Sequence, residues 1–332
     1  RSKLSFSSAA SDVYKRQVLL SISLSVLFVV FMDMKVLGVI YSTCITTFIS
    51  LVINYLIIMR KVKYHFSFLH LKKMLSYSLP FVPSRIQGVG IIYFGQYLIN
   101  NNLGLIELGL YSIAIKFCMP FNLLIQAIQK AWVPLKFHIH NKSNLPSNDI
   151  SEIVTINILI YSFIWLNISI WGNVLISFLT PAQYHTSSKL VPYIAFIYFS
   201  NSLYYSASSG FGITNNTKKL PLINFFGLIS LIISSQFLII YYGSIGVAIS
   251  TSLSWLVITI AIYNISQKEY KIDYNIKYLF LIIFSTFWLY MLYVALSIFF
   301  NSSEYLLSLF ITSLSILGVL ISYKLINNVK LA

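Results

Sequence analysis

Two basic residues set inside apolar sequence carry the chemistry open to this chain. Arg85 follows Lys73-Met-Leu-Ser-Tyr-Ser-Leu-Pro80-Phe-Val-Pro83-Ser, and Lys116 closes Tyr111-Ser-Ile-Ala-Ile ahead of Phe-Cys-Met-Pro120. Each lies inside a stretch long enough to cross a bilayer, which needs about 20 residues. At a helical rise of about 1.5 Å per residue, Arg85 falls about 18 Å past the basic edge at Lys73, and Lys116 about 13 Å past the opposite edge at Glu107. Two antiparallel arms then bring both cations to nearly one depth of a core about 30 Å thick. A charge there costs about 2.5–3.5 kcal/mol, and no Asp or Glu occurs inside any apolar segment to offset it, Glu304 standing only at the first position of the last one. Either the pair faces water across a cavity, or its counter-ion arrives as a ligand.

The same arms carry other polar residues. Gln87, Gln96, Asn122, Gln126 and Gln129 suit a wet cavity or helix–helix hydrogen bonds. Gln126 and Gln129, three apart, share a helix face. Pro80, Pro83 and Pro120 each open or kink a helix, as a hinge or as a static bend. Tyr93, Tyr97, Tyr111 and Trp132 could stack sugars but are read first as interfacial anchors, and Lys130, about four residues from its helix end, as a side chain snorkelling to the cytoplasmic interface. His138 and His140 have chelating spacing but no third ligand beside them, so no metal site is expected. Cys44 and Cys118 both sit in apolar sequence and suggest neither a disulfide nor a thiolate metal site. No nucleophile–base pair and no phosphate-cradling glycine loop occurs, so nothing recommends an enzyme or calls for a cofactor.

These arms belong to a chain with 58% hydrophobic and 9% charged residues over 332 positions. A soluble domain carries about 25% charge; this one is an all-α integral membrane protein. Ten apolar segments follow one another at about 18–32, 36–59, 74–99, 109–134, 153–179, 190–212, 220–242, 244–264, 277–300 and 304–323. Asp33 and Lys35 mark a tight turn after the first. The net charge of +15 is scattered between apolar runs rather than gathered on one face, which excludes a nucleic-acid surface. Sorted by side, fourteen basic loop residues fall on one face and only Lys35 and Lys189 on the other. That asymmetry puts the basic face and both chain ends in the cytoplasm. Loops on the other face are short, the longest near Asn100–Gly109 and Thr180–Lys189. They leave no room for the external active site expected of a membrane polymerase. Residues 1–17, with Ser7-Ser-Ala-Ala-Ser-Asp-Val-Tyr-Lys-Arg-Gln17, are set aside from the fold as a non-native or disordered tail.

An internal repeat underlies the organisation. Leu37-Gly-Val-Ile-Tyr-Ser-Thr43 pairs with Ile245-Gly-Val-Ala-Ile-Ser-Thr251 at an offset of 208 residues, with six spans between the copies. An even number gives both copies one orientation, as in a transporter of two parallel halves. At that offset the partner of the arm opening at Leu75 would begin before position 1, so four spans of a first lobe are expected to be missing.

Tyr77-Ser-Leu-Pro-Phe-Val-Pro83, Leu108-Gly-Leu-Tyr-Ser-Ile-Ala-Ile-Lys116, Gln129-Lys-Ala-Trp-Val-Pro134, Ser209-Gly-Phe-Gly-Ile-Thr-Asn-Asn-Thr-Lys-Lys-Leu-Pro221 and Tyr242-Gly-Ser-Ile-Gly-Val-Ala248 occur in this order. With them the chain resembles the polysaccharide transporter family, the Wzx-type flippases of lipid-linked oligosaccharides in the MATE-like (MOP) superfamily. The resemblance implies a 14-helix fold of two six-helix lobes around a central cavity, plus an extra pair. It implies residues 18–59 as the end of the first lobe, 74–264 as a six-helix second lobe and 277–323 as the appended pair. The implied cargo is an oligosaccharide on undecaprenyl diphosphate, moved across the bacterial inner membrane for O-antigen or capsule assembly. Implied partners are that glycan lipid, membrane lipids, a polysaccharide polymerase and glycosyltransferases. Arg85 would grip phosphate oxygens in pairs while Lys116 acts as a mobile point charge; Gln87, Asn122 and Gln126 would meet sugar hydroxyls. Family members often carry Asp-Arg where this chain has Gln96-Tyr97, so one charged landmark is gone. A multidrug exporter of the same superfamily should carry membrane carboxylates, and a membrane polymerase a large outer loop; neither is seen.

Overall fold

The computed structural model describes residues 19–59, 67–79, 81–142, 146–210, 219–299, 307–316 and 318–319, and these hold helices and turns but no strand. Helix occupies the described part of every apolar segment. The 1–17 stretch, Pro80, the side chain of Arg85 and the outer parts of the 304–323 segment lie outside the described residues. The chain divides into two compact units between Lys72 and Lys73.

In the first unit, α1 (Leu19–Phe31) ends in a π-helical turn at Leu27–Phe31 and α2 (Lys35–Met59) doubles back. Asp33 and Lys35, both at φ 49°, make the reversal, as their position predicts. Gly38 permits the close approach, since a Cβ there would meet the Phe28 backbone at 3.0 Å. Ser42, Thr46 and Ser50 continue this buried face at four-residue spacing. The Ser25 and Ser42 hydroxyls share a 2.7 Å hydrogen bond, and Thr46 Oγ1 donates to Ser42 O. Small side chains whose hydroxyls are satisfied locally let helices pack closely in surroundings as apolar as themselves.

Helix α3 (Phe68–Ser78) runs through the division, and the second unit continues with α4 (Phe81–Leu103), α5 (Leu105–Lys142) and α6 (Pro146–Leu179). A 3-10 stretch at Ala182–Leu190 leads into α7 (Val191–Ala207), followed by α8 (Leu220–Glu269), α9 (Ile276–Phe299) and α10 (Leu307–Ile316). Helix α8 is two arms reversed at Gly243, whose φ of 55° and ψ of −133° are non-helical; it therefore covers two predicted segments. Among the described residues five helices have the length and composition to cross a membrane, α8 counted once.

Helix α8 packs on α4 and α7, while α6 packs on α5, α7 and α9. Phe121, Ile125, Tyr161, Leu166, Ile194 and Leu231 fill the core between them. Glycines admit neighbours: a Cβ on Gly172 would press on Val191, and one on Gly227 would collide with Ile258. The Ser254 hydroxyl donates across the two arms of α8 to Gly227 O at 2.7 Å. Large apolar side chains such as Phe178, Ile240 and Phe280 stay exposed, a surface that demands lipid.

Candidate functional site

Helices α4 and α5 are neighbours, joined at Gly104, whose φ of 89° gives a turn too tight for most side chains. Glu107 lies in the first turn of α5, where a helix N-terminus favours an anion, and accepts a 3.1 Å hydrogen bond from the Ser244 hydroxyl. The start of α5 and the start of the second arm of α8 are thereby tied together.

A small cavity fixes the register of the two helices. Ile92 of α4 lines it with Tyr111 and Ile115 of α5, Ile194, Ile197 and Tyr198 of α7, and Thr251 of α8; the space is about 20 Å³, room for about one water. From that common level Lys116 is one residue further along α5 than Ile115, and Arg85 seven residues back along α4. At about 1.5 Å per residue, the two backbones differ in depth by about 9 Å, more than one and a half helical turns, so they do not share the one level expected from the sequence.

Helix α5 turns Tyr111, Ala114, Cys118, Phe121 and Ile125 inward and leaves Lys116, Met119, Leu123, Gln126 and Lys130 exposed. Among the described residues no ion pair or hydrogen bond reaches Lys116. Asn122 is half-buried on the side of Ile115. Gln87 is half-buried on α4, and its Oε1 is fully enclosed without a hydrogen-bond partner. Gln96 is half-buried beside exposed Tyr93 and Tyr97. Gln129 follows the helix–helix reading, its Nε2 donating to the Tyr161 hydroxyl at 3.2 Å. Pro83 sits in the first turn of α4, where the missing N–H leaves no bond unmade, and Pro120 and Pro134 are held within continuous α5.

Three sequence readings need correction. Tyr111 is no interfacial anchor: only 3% exposed, it lies on the packed face of α5 and lines the small cavity with Thr251. Trp132 is likewise only 4% exposed, its indole N–H donating to Ser209 Oγ at 3.3 Å. Lys130 is not near a helix end, since α5 continues to Lys142. In each case the helix was judged by its apolar segment, whereas inward polar groups with partners extend it.

The polar end of α5 was invisible as a structure in the sequence. His140 Nδ1 and the Tyr270 hydroxyl share a 3.2 Å hydrogen bond. The Gln267 amide bonds both the N–H and the C=O of Ile272, Ser147 Oγ accepts from the Asp273 N–H, and the Tyr274 hydroxyl donates to Ser206 O. The connection between α8 and α9 is thus strapped across the ends of α5, α6 and α7. Burial pushes the phenols of Tyr270 and Tyr274 up from the usual tyrosine value, so both stay protonated through neutral pH. No group of three or more potential metal ligands occurs among the described residues.

Residues 9–141 match the model of a family described as "Polysaccharide biosynthesis protein". No curated protein matches the chain. Among solved structures it is similar to the lipid II flippase MurJ in an inward closed conformation, with TM-score 0.63 and 16% identity over 95% of this chain and 67% of that one. It is also similar to the crystal structure of a mutant MATE protein, with TM-score 0.56 and 17% identity over 76% of this chain and 60% of that one. The fold is the MATE-like helical fold.

Proposed function

We propose that this chain, a MATE-like membrane protein whose residues 9–141 match polysaccharide biosynthesis proteins, belongs to a flippase for an undecaprenyl-diphosphate-linked oligosaccharide. It moves that lipid from the inner to the outer leaflet of the bacterial inner membrane by alternating access, for O-antigen or capsule assembly. Residues 18–59 end the first lobe, 74–264 form the second, and 277–323 are an appended pair, with the basic face and both ends of the chain in the cytoplasm.

The observation that carries this reading is Lys116, exposed on α5 with no carboxylate partner among the described residues and about 9 Å in depth from the backbone of Arg85 on the neighbouring α4. A diphosphate supplies the missing negative charge, Arg85 by paired N–H bonds and Lys116 as a point charge. In a site of low dielectric such a pair attracts far more strongly than in water. Gln87, Asn122 and Gln126 offer amides to sugar hydroxyls, Pro80, Pro83 and Pro120 serve as hinges, and the flippase works with a polymerase and glycosyltransferases.

A multidrug exporter of the same fold would carry cations and need carboxylates at membrane depth. The described acidic residues Asp33, Glu107, Asp149, Glu152, Glu269 and Asp273 all lie in turns or near helix ends, which favours an anionic cargo. Arg85→Glu with Lys116→Glu in a full-length protein tests this. Loss of surface polysaccharide with the protein still in the membrane is expected, and unchanged export would refute it.

A further inference from the structure

A second basic site lies at the far end of α5. Lys136 is twenty residues beyond Lys116, about 30 Å along the helix, so it is separate from the pair above and does not depend on that reading. Only 6% of it is exposed. Among the described residues no ion pair or hydrogen bond reaches it; its Nζ lies 5.5 Å from the centre of the Phe137 ring.

Its setting is polar by construction. Trp132, Lys136 and His140 recur at four-residue spacing, so they share one face of α5. The residues on either side are anchored, Trp132 to Ser209 and His140 to Tyr270. Lys136 therefore faces the wall where the end of α7 meets the strap. Gly210 keeps that wall close, since a Cβ there would meet Ser266 Oγ at 2.7 Å and Tyr270 O at 2.9 Å. The acids of the α8–α9 connection are engaged elsewhere: Glu269 pairs with Lys219 at 2.9 Å, and Asp273 with Lys271 at 3.7 Å and the Ser147 hydroxyl.

A largely buried ammonium without an anion is costly, and hydroxyl and indole donors around it do not relieve it. A group with several acceptor oxygens and negative charge does. Basic recesses between membrane helices at a cytoplasmic face take anionic lipid headgroups.

We propose that Lys136 is the charged anchor of a phosphate-binding site at the basic end of the second unit. Its ligand is the phosphate of an anionic lipid, either a membrane phospholipid or an isoprenoid phosphate of the kind a glycan carrier bears.

The test places the full chain in nanodiscs of phosphatidylethanolamine alone, with phosphatidylglycerol, or with undecaprenyl phosphate. Retained lipid is counted by native mass spectrometry. The unsubstituted chain should hold one anionic lipid through delipidation and melt higher in the disc that supplies it. Lys136→Met should lower retention about tenfold while Lys136→Arg keeps it, a difference of about 1.4 kcal/mol. The lipid retained identifies the source. Should Lys136→Met fail to fold, the melting comparison on the unsubstituted chain stands by itself. The proposal is overturned if neither anion is held above phosphatidylethanolamine, or if folded Lys136→Met holds it equally.

Discussion

Lys35 and Gly243, separated by the 208-residue repeat offset, both take a positive φ, 49° and 55°. Each turns a first helix into a second whose buried face begins at a matched glycine, Gly38 or Gly246, and continues through Ser42 or Ser250. The repeat is thus a repeated hairpin. One copy has a glycine where the backbone wants it and the other tolerates a lysine.

That difference predicts opposite effects on stability. Lys35→Gly should raise the unfolding free energy by up to about 1 kcal/mol, and Gly243→Ala should lower it by about 1–2 kcal/mol. Thermal unfolding in one detergent reads both; a loss for Lys35→Gly would contradict the equivalence.

The matched glycines differ in tightness. A Cβ on Gly246 would strike the Leu238 carbonyl, which cannot move aside, whereas one on Gly38 would meet Phe28 at 3.0 Å. Gly246→Ala should cost about 2–3 kcal/mol and Gly38→Ala about 1 kcal/mol or less, with melting temperatures in the same order.

At the basic end, Ser209→Ala leaves the indole of Trp132 without its acceptor and should cost about 1 kcal/mol, while Trp132→Ala opens a cavity and should cost about 3–5 kcal/mol. The double variant should match Trp132→Ala alone, because the two residues share one hydrogen bond. Additive losses would place the Trp132 contribution elsewhere.

Hydropathy revealed the helices because each segment is long and apolar enough to need internal backbone pairing in lipid. Boundaries were less legible where packing decides. The 74–99 segment is evenly apolar, yet α3 stops at Ser78 and α4 starts at Phe81, as expected for a chain approaching Pro80. Helix α5 outruns its segment because Lys136 and His140 turn inward, a face that a tally of polar residues reads as loop. The strap at Tyr270–Tyr274 was unreadable for the same reason: its partners His140, Ser147 and Ser206 are distant in sequence and ordinary in type. Lys116 was visible because a cation within apolar sequence is costly wherever the helix turns.

A photo-crosslinking residue at Leu123, exposed two turns from Lys116 on the same side of α5, reads directly what that surface meets. In a full-length protein in native membranes it should capture an isoprenoid-diphosphate glycan. Capture should fall about tenfold with Lys116→Glu, about 1.4 kcal/mol of binding, and persist with Lys116→Arg. Capture of ordinary phospholipid alone, or of the glycan lipid equally in Lys116→Glu, would contradict an anionic cargo held by this cation.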